Sequence, residues 1–281
     1  MLPAAPPVRL AVLIPCWNEE LTIADVVTDF RTALPSADIY VFDNNSTDQS
    51  VARASGAHAC VLLEPRQGKG FVLQAMFQRV DADVYVVVDG DRTYGADSVR
   101  SLIEPVLSGR ADMVVGSRLH REARRGFSTP HLWGNRFFVL LSRVLFGIAS
   151  TDVLSGYRVL TRKLARSVNL TSGGFEVETE LTIKAIRDGF RVIDIPVALV
   201  PRPAGSHSKI RPLRDAWAIT AEMLSLFRRE KPLTFLIGIG VTLLLSTAAA
   251  SLARPAVVQV GVVLTSILLL AMMMRTIARR T

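Results

Sequence analysis

Short apolar runs alternate with amphipathic stretches along the N-terminal part of the chain. The apolar runs have the length and polar flanks of buried strands, and they cover residues 8–14, 39–42, 59–63 and 84–88. Apolar side chains recur at helical spacing in residues 18–34, and a second amphipathic stretch after the third run extends to Val80. This alternation predicts an α/β, Rossmann-like fold with a mostly parallel sheet and helices on both faces.

A different pattern follows a short strand predicted at residues 113–116. Residues 117–130 are basic and irregular, and the helix predicted at residues 131–148 places on one stripe Trp133, Phe137, Leu140, Leu141, Val144, Leu145 and Ile148. Arg136 and Arg143 lie on the flank of this stripe. A second amphipathic helix is predicted at residues 213–229. Each helix can pack on a protein core or lie in a membrane interface, and the pattern allows both.

The C-terminal part contains two long apolar segments. Residues 233–252 form a run of about twenty residues without a charge, the length that a hydrocarbon core requires, and residues 255–274 form a second. Basic residues flank both outer ends, so we expect a transmembrane hairpin with both ends in the cytoplasm; a hairpin buried in a soluble protein is the alternative. The predicted organisation is a domain at residues 1–209, a juxtamembrane helix at 210–231, and a hairpin with a basic tail at 232–281.

The net charge of +8 is unevenly distributed. Basic residues concentrate at 118–143 and 202–231, beside amphipathic or apolar segments, so membrane lipid and lipid phosphates are the expected partners and nucleic acid is not. Cys16 and Cys60 lie in apolar strand ends and are expected to be core thiols in a reducing compartment. Together these features predict a multi-pass protein of the cell inner membrane, or its equivalent, with a cytoplasmic catalytic domain.

Two acidic side chains follow the fourth predicted strand. Asp89 and Asp91 lie one residue apart at its carboxyl end. Paired carboxylates in this position suit a hard divalent cation and the phosphates that it carries. Ligands bind parallel sheets beyond the carboxyl ends of the strands, so Asp43 and Lys69 are expected at the same edge.

Several short motifs follow one another in order. The first are Ile-Pro-Cys-Trp-Asn-Glu-Glu at 14–20, Asp-Asn-Asn-Ser-Thr-Asp at 43–48, Gly-Lys-Gly at 68–70 and Asp-Gly-Asp at 89–91. The later ones are Asp-Val-Leu-Ser-Gly-Tyr-Arg at 152–158, Phe-Glu-Val-Glu-Thr-Glu at 175–180 and Gly-Ser-His-Ser-Lys at 205–209. The series resembles the family 2 glycosyltransferases of the GT-A fold, and its later motifs resemble the branch that transfers sugars to dolichyl or polyprenyl phosphate.

The resemblance implies a donor site for a nucleotide sugar. The implied nucleotide-binding residues are Pro15, Asn18, Glu19, Asp43, Lys69 and Asp89. Asp89 and Asp91 are the implied ligands of Mg²⁺ or Mn²⁺, which acts as a Lewis acid on the leaving diphosphate. Arg92 and Thr93 stand where members of the family commonly have a small or amide-bearing residue, so no third protein ligand is assigned.

The resemblance also implies residues that act at the acceptor. Asp152 is the implied active-site residue near the sugar or the acceptor phosphate, and Arg202 and Lys209 match the family's phosphate-binding stretch. Further candidates for the acceptor phosphate and lipid are Arg118, Arg136 and Ser208. The two arginines rest on position alone, and an exposed or snorkelling arginine is the alternative for each.

Glu178 and Glu180 occupy the place where relatives that glycosylate hydroxyl groups have an acceptor-activating base. A phosphate monoester has a second pKa of about 6, so its oxygen is already an anionic nucleophile at neutral pH. A lipid phosphate acceptor therefore has no strong need for a base. Repulsion between the acceptor and the donor diphosphate remains, and preorganised positive charge relieves it.

The expected reaction is a single in-line displacement at the anomeric carbon of a hexose carried on UDP or GDP. It inverts the configuration and gives a polyprenyl-phosphate monosaccharide. Transfer to another lipid acceptor such as diacylglycerol, with Glu178 or Glu180 as base, and a non-catalytic nucleotide-sugar-binding scaffold are the alternatives. A processive polysaccharide synthase is disfavoured because the chain has no Gln-x-x-Arg-Trp motif. A homo-oligomer, such as a tetramer, is compatible with this branch of the family.

Overall fold

The computed structural model describes residues 8–118, 129–209 and 211–252. The chain divides into two compact units, residues 1–218 and residues 219–281, and each is described by itself. The described site residues predicted from the sequence all belong to the first unit.

A seven-stranded sheet organises the first unit. Its strands are β1 (Leu10–Cys16), β2 (Asp38–Asp43), β3 (Cys60–Leu63), β4 (Val84–Val87), β5 (Met113–Ser117), β6 (Arg158–Thr161) and β7 (Val192–Pro196). Their spatial order is β3-β2-β1-β4-β6-β5-β7. Strands β3, β2, β1 and β4 pair in parallel, as do β5 and β7, whereas β6 is antiparallel to both of its neighbours. The predicted mostly parallel α/β sheet is confirmed.

Helices follow the strands along the first unit, and two further helices lie wholly or mostly in the sequence of the second unit. They are α1 (Ile23–Ala33), α2 (Ser50–Gly56), α3 (Lys69–Arg79), α4 (Val99–Leu107), α5 (Thr129–Phe146), α6 (Arg162–Ser167), α7 (Val177–Arg187), α8 (Pro212–Glu230) and α9 (Pro232–Leu252). Alternate residues of β1 enter two separate apolar clusters, because successive strand side chains point to opposite faces. One cluster includes Val12 with residues of α1 and α4, and the other includes Leu13 with residues of α3, α6 and α7.

The predicted N-terminal elements are found with small shifts of their ends. The helix predicted at residues 18–34 begins only at Ile23, because the preceding residues form a turn at the sheet edge. Cys16 is buried as predicted, but Cys60 is exposed, because β3 is an edge strand. Strands β6 and β7 were not predicted from the sequence. Strand β6 pairs with β4 and so links the first four strands to β5 and β7.

Helix α5 exposes part of its apolar stripe. Phe137, Leu140 and Val144 are each more than half exposed, while Asn135 and Phe138 face the interior of the first unit. The flanking arginines of the stripe are exposed as well. The side chain of Trp133 lies outside the described part of the chain. The stripe is therefore split: Phe137, Leu140 and Val144 are exposed, whereas Ile148 at its end is buried.

The C-terminal segments are only partly described. The predicted helix at residues 213–229 is observed as α8, and the apolar run at 233–252 is observed as part of α9. Among the described residues, no helix has both the length and the apolar character needed to cross a membrane. The connector and the second predicted segment, residues 255–274, lie outside the described residues. The predicted transmembrane hairpin therefore receives no support.

Candidate active site

Three loops meet at the carboxyl edge of the sheet, where β1, β2 and β4 end. Strands β1 and β2 end side by side at Cys16 and Asp43, and the N–H of Asn44 donates to the carbonyl oxygen of Cys16 at 2.8 Å. Strand β4 lies on the other side of β1 and is followed by Asp89 and Asp91. The strand order thus brings residues that are far apart in the sequence to one edge, the place where α/β sheets bind ligands.

Asp43 is buried at the end of β2 with one oxygen unused. Its Oδ2 accepts the N–H of Ser46 at 3.2 Å, whereas Oδ1 has no hydrogen-bond partner among the described residues. An unsatisfied buried acceptor costs about 1–3 kcal/mol. A nucleoside N–H or hydroxyl group can supply the missing donor, so the chemistry of this residue fits its predicted role.

The turn after β1 is tied to the loop after β2. Asn18 has a left-handed backbone with a φ of 53°. Its N–H donates to Ser46 Oγ at 2.9 Å, and its side-chain oxygen accepts the N–H of Thr47 at 2.7 Å. Pro15 lies within β1, opposite Phe42 of β2. Asn18 therefore holds the two loops together, and its side-chain oxygen is already engaged.

Asn44 organises the next loop and was not singled out from the sequence. Its Nδ2 donates to the carbonyl oxygens of Glu64 and Arg66, both at 2.8 Å. Its Oδ1 accepts the N–H of Gly68 at 2.7 Å and a bond from Gln67 at 3.2 Å. Every polar group of this amide holds the chain that leads into α3. The sequence did offer a signal for this role, because Asn44 is an amide inside the polar cluster that follows β2.

Lys69, the first residue of α3, lies between two carboxylates. Its Nζ is 2.5 Å from Oδ1 of Asp89 and 2.6 Å from Oε1 of Glu178. Burial alone would lower the pKa of Lys69, but attraction to the two carboxylates raises it, so the ammonium group stays charged. On the other side of Asp89, a Cβ added to Gly156 would lie 2.3 Å from Oδ2, so this glycine leaves the space that the carboxylate occupies.

Asp91 is nearly buried and bonded on both oxygens. Its Oδ1 accepts the N–H of Thr93 at 3.0 Å and the hydroxyl of Thr93 at 2.6 Å. Its Oδ2 forms a salt bridge with Arg202. Thr93, which sequence reasoning left without a role, thus orients the carboxylate.

Asp89 and Asp91 offer the oxygen donors that Mg²⁺ and Mn²⁺ prefer. A carboxylate has about four lone-pair sites, so both keep acceptor capacity beyond their present bonds. Within the part of the chain that the structure describes, no group of three His, Cys, Asp or Glu residues is placed to hold a metal ion. Two carboxylates leave coordination positions for water and diphosphate oxygens, as is usual for Mg²⁺. The donor set fits a cation that arrives with the nucleotide: Lys69 bonds only Oδ1 of Asp89, whereas Arg202 must yield its position on Asp91.

The basic segment 201–209 reaches back to the same edge. Besides the bond from Arg202 to Asp91, Lys209 Nζ donates to the carbonyl oxygen of Asn18 at 2.8 Å and lies 3.0 Å from Oε1 of Glu19. Burial raises the pKa of Glu19, and the bond from Lys209 opposes that rise. The two basic residues predicted at the acceptor phosphate are thus found on carboxylates of the nucleotide side.

Asp152 is fully buried and forms the centre of a polar cluster. Its oxygens accept from Arg118 Nε at 2.7 Å, from Arg118 Nη2 at 2.9 Å and from Asn135 Nδ2 at 3.0 Å. Burial alone would raise the pKa of Asp152, but the guanidinium of Arg118 lowers it below its usual value. Arg118 retains some exposed side-chain surface and Asp152 has none, so a ligand meets the arginine first.

The other two residues predicted at the acceptor lie at the surface. Arg136 is exposed on α5, beside the exposed apolar stripe, and Ser208 is exposed in the segment 201–209. The structure does not bring either one into the cluster around Asp152.

Arg158 is buried among backbone oxygens. It donates to the carbonyl oxygens of Ser155 at 2.8 Å and Val153 at 3.1 Å, and to Thr182 Oγ1 at 2.8 Å. Burial lowers its pKa. This arginine shapes the turn after Asp152 and connects it to α7.

The two glutamates predicted as candidate bases lie in the first turn of α7. Glu178 faces Lys69, and burial raises its pKa. Glu180 has no exposed surface, and its oxygens accept from Thr171, Ser172 and Lys184. Both carboxylates are thus engaged inside the protein.

Comparison with known proteins identifies the family. The family model of Glycosyl transferase family 2 matches residues 11–168, more than half of the chain. Glycosyltransferase AglJ of Haloferax volcanii is 32% identical over 235 residues, which cover 83% of this chain and 77% of AglJ. Polyprenol monophosphomannose synthase of Mycolicibacterium smegmatis is 29% identical over 232 residues, which cover 73% of this chain and 84% of the synthase. Undecaprenyl-phosphate mannosyltransferase of Micrococcus luteus is 26% identical, with coverage of 70% and 86%.

Solved structures show the same fold. Glucosyl-3-phosphoglycerate synthase from Mycobacterium tuberculosis, in complex with Mn²⁺, UDP-glucose and phosphoglyceric acid, aligns with a TM-score of 0.63 at 24% identity. The alignment covers 78% of this chain and 80% of that one. Together with the family match, this likeness identifies the sheet as GT-A-like. The chain belongs to glycosyl transferase family 2, and it is a glycosyltransferase.

Proposed function

We propose that this protein transfers a hexose from a UDP- or GDP-linked donor to the phosphate of a polyprenyl or dolichyl phosphate. The observation that carries the proposal is the close arrangement of carboxylates and basic side chains at one sheet edge, with Arg202 bound to Asp91. Such a site can hold a metal-bound diphosphate and still offer cations to a second phosphate. The polyprenol monophosphomannose synthase and undecaprenyl-phosphate mannosyltransferase relatives support this class of acceptor.

The donor occupies the carboxyl edge of the sheet in this proposal. Asp43 accepts a hydrogen bond from the nucleoside through its unused Oδ1. Bound Mg²⁺ or Mn²⁺, held by Asp89 and Asp91, supplies Lewis-acid stabilisation of the leaving diphosphate. The Mn²⁺ and UDP-glucose in the structurally similar synthase support this part.

The acceptor phosphate is its own nucleophile. It is largely dianionic at neutral pH, so its oxygen attacks the anomeric carbon in line with the leaving diphosphate and the configuration inverts. Arg118, oriented by Asp152, and Arg202, once released from Asp91, reduce the repulsion between the two phosphates. Lys209 and Ser208 lie on the same segment as Arg202, and Arg136 lies on α5.

The reaction takes place at the cytoplasmic face of a membrane in this proposal. The exposed stripe of Phe137, Leu140 and Val144 on α5, flanked by exposed arginines, supports contact with an anionic lipid surface. A C-terminal anchor at residues 233–252, the predicted hairpin and the homo-oligomer stay predictions from the sequence.

A different acceptor is the alternative function. Diacylglycerol offers a neutral hydroxyl group and requires a base. Glu178 is paired with Lys69, and Glu180 is bonded to three residues, so both would first have to leave their present partners. The geometry therefore favours an acceptor that carries its own negative charge.

The test follows labelled sugar into the organic phase. Purified protein is incubated with polyprenyl phosphate, Mg²⁺ or Mn²⁺, and a panel of radiolabelled UDP- and GDP-sugars; parallel reactions contain diacylglycerol or 3-phosphoglycerate. We expect one donor to label the polyprenyl phosphate, with loss of label in Asp91→Ala. Asp38→Ala, an exposed aspartate at the opposite end of β2, is the matched control. Label only in diacylglycerol or phosphoglycerate would refute the proposed acceptor, and nucleotide binding without any transfer would indicate a scaffold.

A further inference from the structure

We propose that Glu180 is a positioning residue that acts on the donor site through the backbone of residues 171–173. That backbone forms a seat for Gly68 and Gly70, and the seat places Lys69 against Asp89. The inference rests on the proposed function, because it assigns Glu180 a part in donor binding and transfer.

Glu180 fastens one short stretch of backbone. Oε1 of Glu180 accepts the N–H of Thr171 at 2.9 Å and its hydroxyl at 2.8 Å, while Oε2 accepts the N–H of Ser172 at 2.8 Å. Lys184 supplies the compensating charge, with Nζ 2.5 Å from Oε1. The carboxylate is fully buried and all of these bonds favour its ionised form. It has no surface left for contact with a substrate.

The fastened backbone touches the glycine loop directly. The N–H of Gly70 donates to the carbonyl oxygen of Gly173 at 3.0 Å. A Cβ added to Gly70 would lie 2.0 Å from the carbonyl oxygen of Ser172, and one added to Gly68 would lie 2.1 Å from that of Gly173. Gly68 also has a φ of 136°, a conformation that side chains disfavour. Only glycine therefore fits at either position while the seat stays in place.

The seat determines where the ammonium group of Lys69 lies. Gly68 and Gly70 flank Lys69, whose Nζ meets Asp89 and Glu178 at 2.5 and 2.6 Å. Glu178 and Glu180 belong to the same helix, so α7 holds Lys69 directly through one glutamate and holds its loop through the other. A small shift of the seat moves the ammonium group relative to Asp89, and misplacement by about 1 Å can cost about a hundredfold in rate.

The experiment is a double-mutant cycle between Glu180 and Lys69. Wild type, Glu180→Gln, Lys69→Met and the double variant are compared by kcat/KM for the nucleotide sugar and by melting temperature. Glutamine presents an NH₂ group to backbone N–H donors, so we expect Glu180→Gln to lose about tenfold to a hundredfold in kcat/KM. In the Lys69→Met background the same change should have no further effect on kcat/KM, while its effect on melting temperature remains.

Glu176→Gln is the matched control. Glu176 precedes α7, the one hydrogen bond of its side chain within the described residues is accepted from the N–H of Gly174 at 3.0 Å, and glutamine keeps an acceptor there. We expect its kcat/KM to stay within about twofold of wild type, as for ordinary surface changes. If Glu180→Gln does not fold, Thr171→Val replaces it, because valine removes the hydroxyl bond and keeps the backbone bond.

Equal losses from Glu180→Gln in both backgrounds, or no loss in either, would overturn the inference. A wild-type protein that transfers no sugar would instead refute the proposed function. In that case calorimetry measures the affinity of the same four proteins for UDP and for GDP in the presence of Mn²⁺. If the effects of the two substitutions on binding free energy are not additive, Glu180 and Lys69 act together as inferred. Additive effects would overturn the inference.

Discussion

The acidic residues at the carboxyl edge differ from those inside the domain. Asp89 and Asp91 each face one basic side chain brought in from another loop, and they keep acceptor capacity for a ligand. Asp152 and Glu180 have no exposed surface, and their oxygens are occupied by several donors from the protein itself. All four belong to motifs that the sequence offers as chemistry.

The difference separates two uses of the same functional group. An edge carboxylate can exchange its cation for another, because one member of each pair, Asp89 or Arg202, keeps about a quarter of its side chain exposed. A buried carboxylate cannot make this exchange cheaply, since removal of one partner leaves an uncompensated charge inside the protein. The edge acids are thus suited to bind ligands, and the buried acids are suited to hold the residues that do.

The largest expected effect on activity is at Asp91. Asp91→Asn keeps the bonds from Thr93 in part but removes the charge that a divalent cation requires. We expect kcat/KM to fall by about 10²–10³-fold, the size typical of a lost electrostatic contact to the transition state. The melting temperature should change little, because Arg202 keeps about a quarter of its side chain exposed and is not left as a buried charge. Initial rates and thermal unfolding of the same preparation measure both quantities.

Asp152→Asn should show the opposite balance. Breaking the buried pair with Arg118 is expected to lower the free energy of unfolding by about 3–5 kcal/mol. Chemical denaturation at neutral pH measures this loss. A variant as stable as wild type would break the comparison, because Asp152 would then not be a structural anchor.

The pH dependence of stability sharpens the same contrast. The pKa of Asp152 is lowered in the folded protein, so its contribution is complete above the unfolded value of about 3.9 and is lost as the pH falls through the folded value. Wild type should therefore lose stability on acidification below about pH 4, and Asp152→Asn should lose less over that range. Denaturation curves at a series of acidic pH values provide the measurement.

Glu178→Gln distinguishes a partner of Lys69 from a general base. As a partner, Glu178 contributes placement of Lys69, and we expect a loss of kcat of about tenfold with the pH profile unchanged. Loss of a general base costs about 10²–10⁴-fold and removes the ascending limb of the pH profile. The pH dependence of kcat in wild type and variant distinguishes the two roles. Loss of the ascending limb in the variant would show that Glu178 is a general base.

The smallest expected effect concerns metal affinity without nucleotide. Arg202 occupies Asp91, so Arg202→Gln should tighten Mn²⁺ binding by about threefold to tenfold, the scale of a partly exposed ion pair. Arg92→Gln is the matched control, because Arg92 adjoins Asp91 in the sequence but pairs with Asp25 and Asp29. Calorimetric titration with Mn²⁺ measures both. Unchanged or weaker binding in Arg202→Gln would show that this arginine does not compete with the cation.

Local patterns were sufficient to predict much of the fold. The strands around Val12, Val41 and Val86 carry apolar runs of strand length, and the alternation with helices indicates parallel pairing. Strand β6 was missed because Arg158 begins it and its antiparallel pairing depends on β4 and β5, not on its own pattern. Exposure of Cys60 was missed for a related reason, since an edge strand and an internal strand can have the same sequence.

The sequence by itself determined which carboxylates and basic residues exist and which of them follow a strand. Strand ends are local features of the sequence. Because the carboxyl ends of parallel strands lie at one edge of a sheet, Asp43, Asp89 and Asp91 could be placed together from the sequence. Only the tertiary structure decided which cation meets which carboxylate. Asp91 and Arg202 are 111 residues apart, and Asp152 and Arg118 are 34 apart. Such pairs follow no period in the sequence, because the path of the chain between them, and the burial it produces, determines their contact.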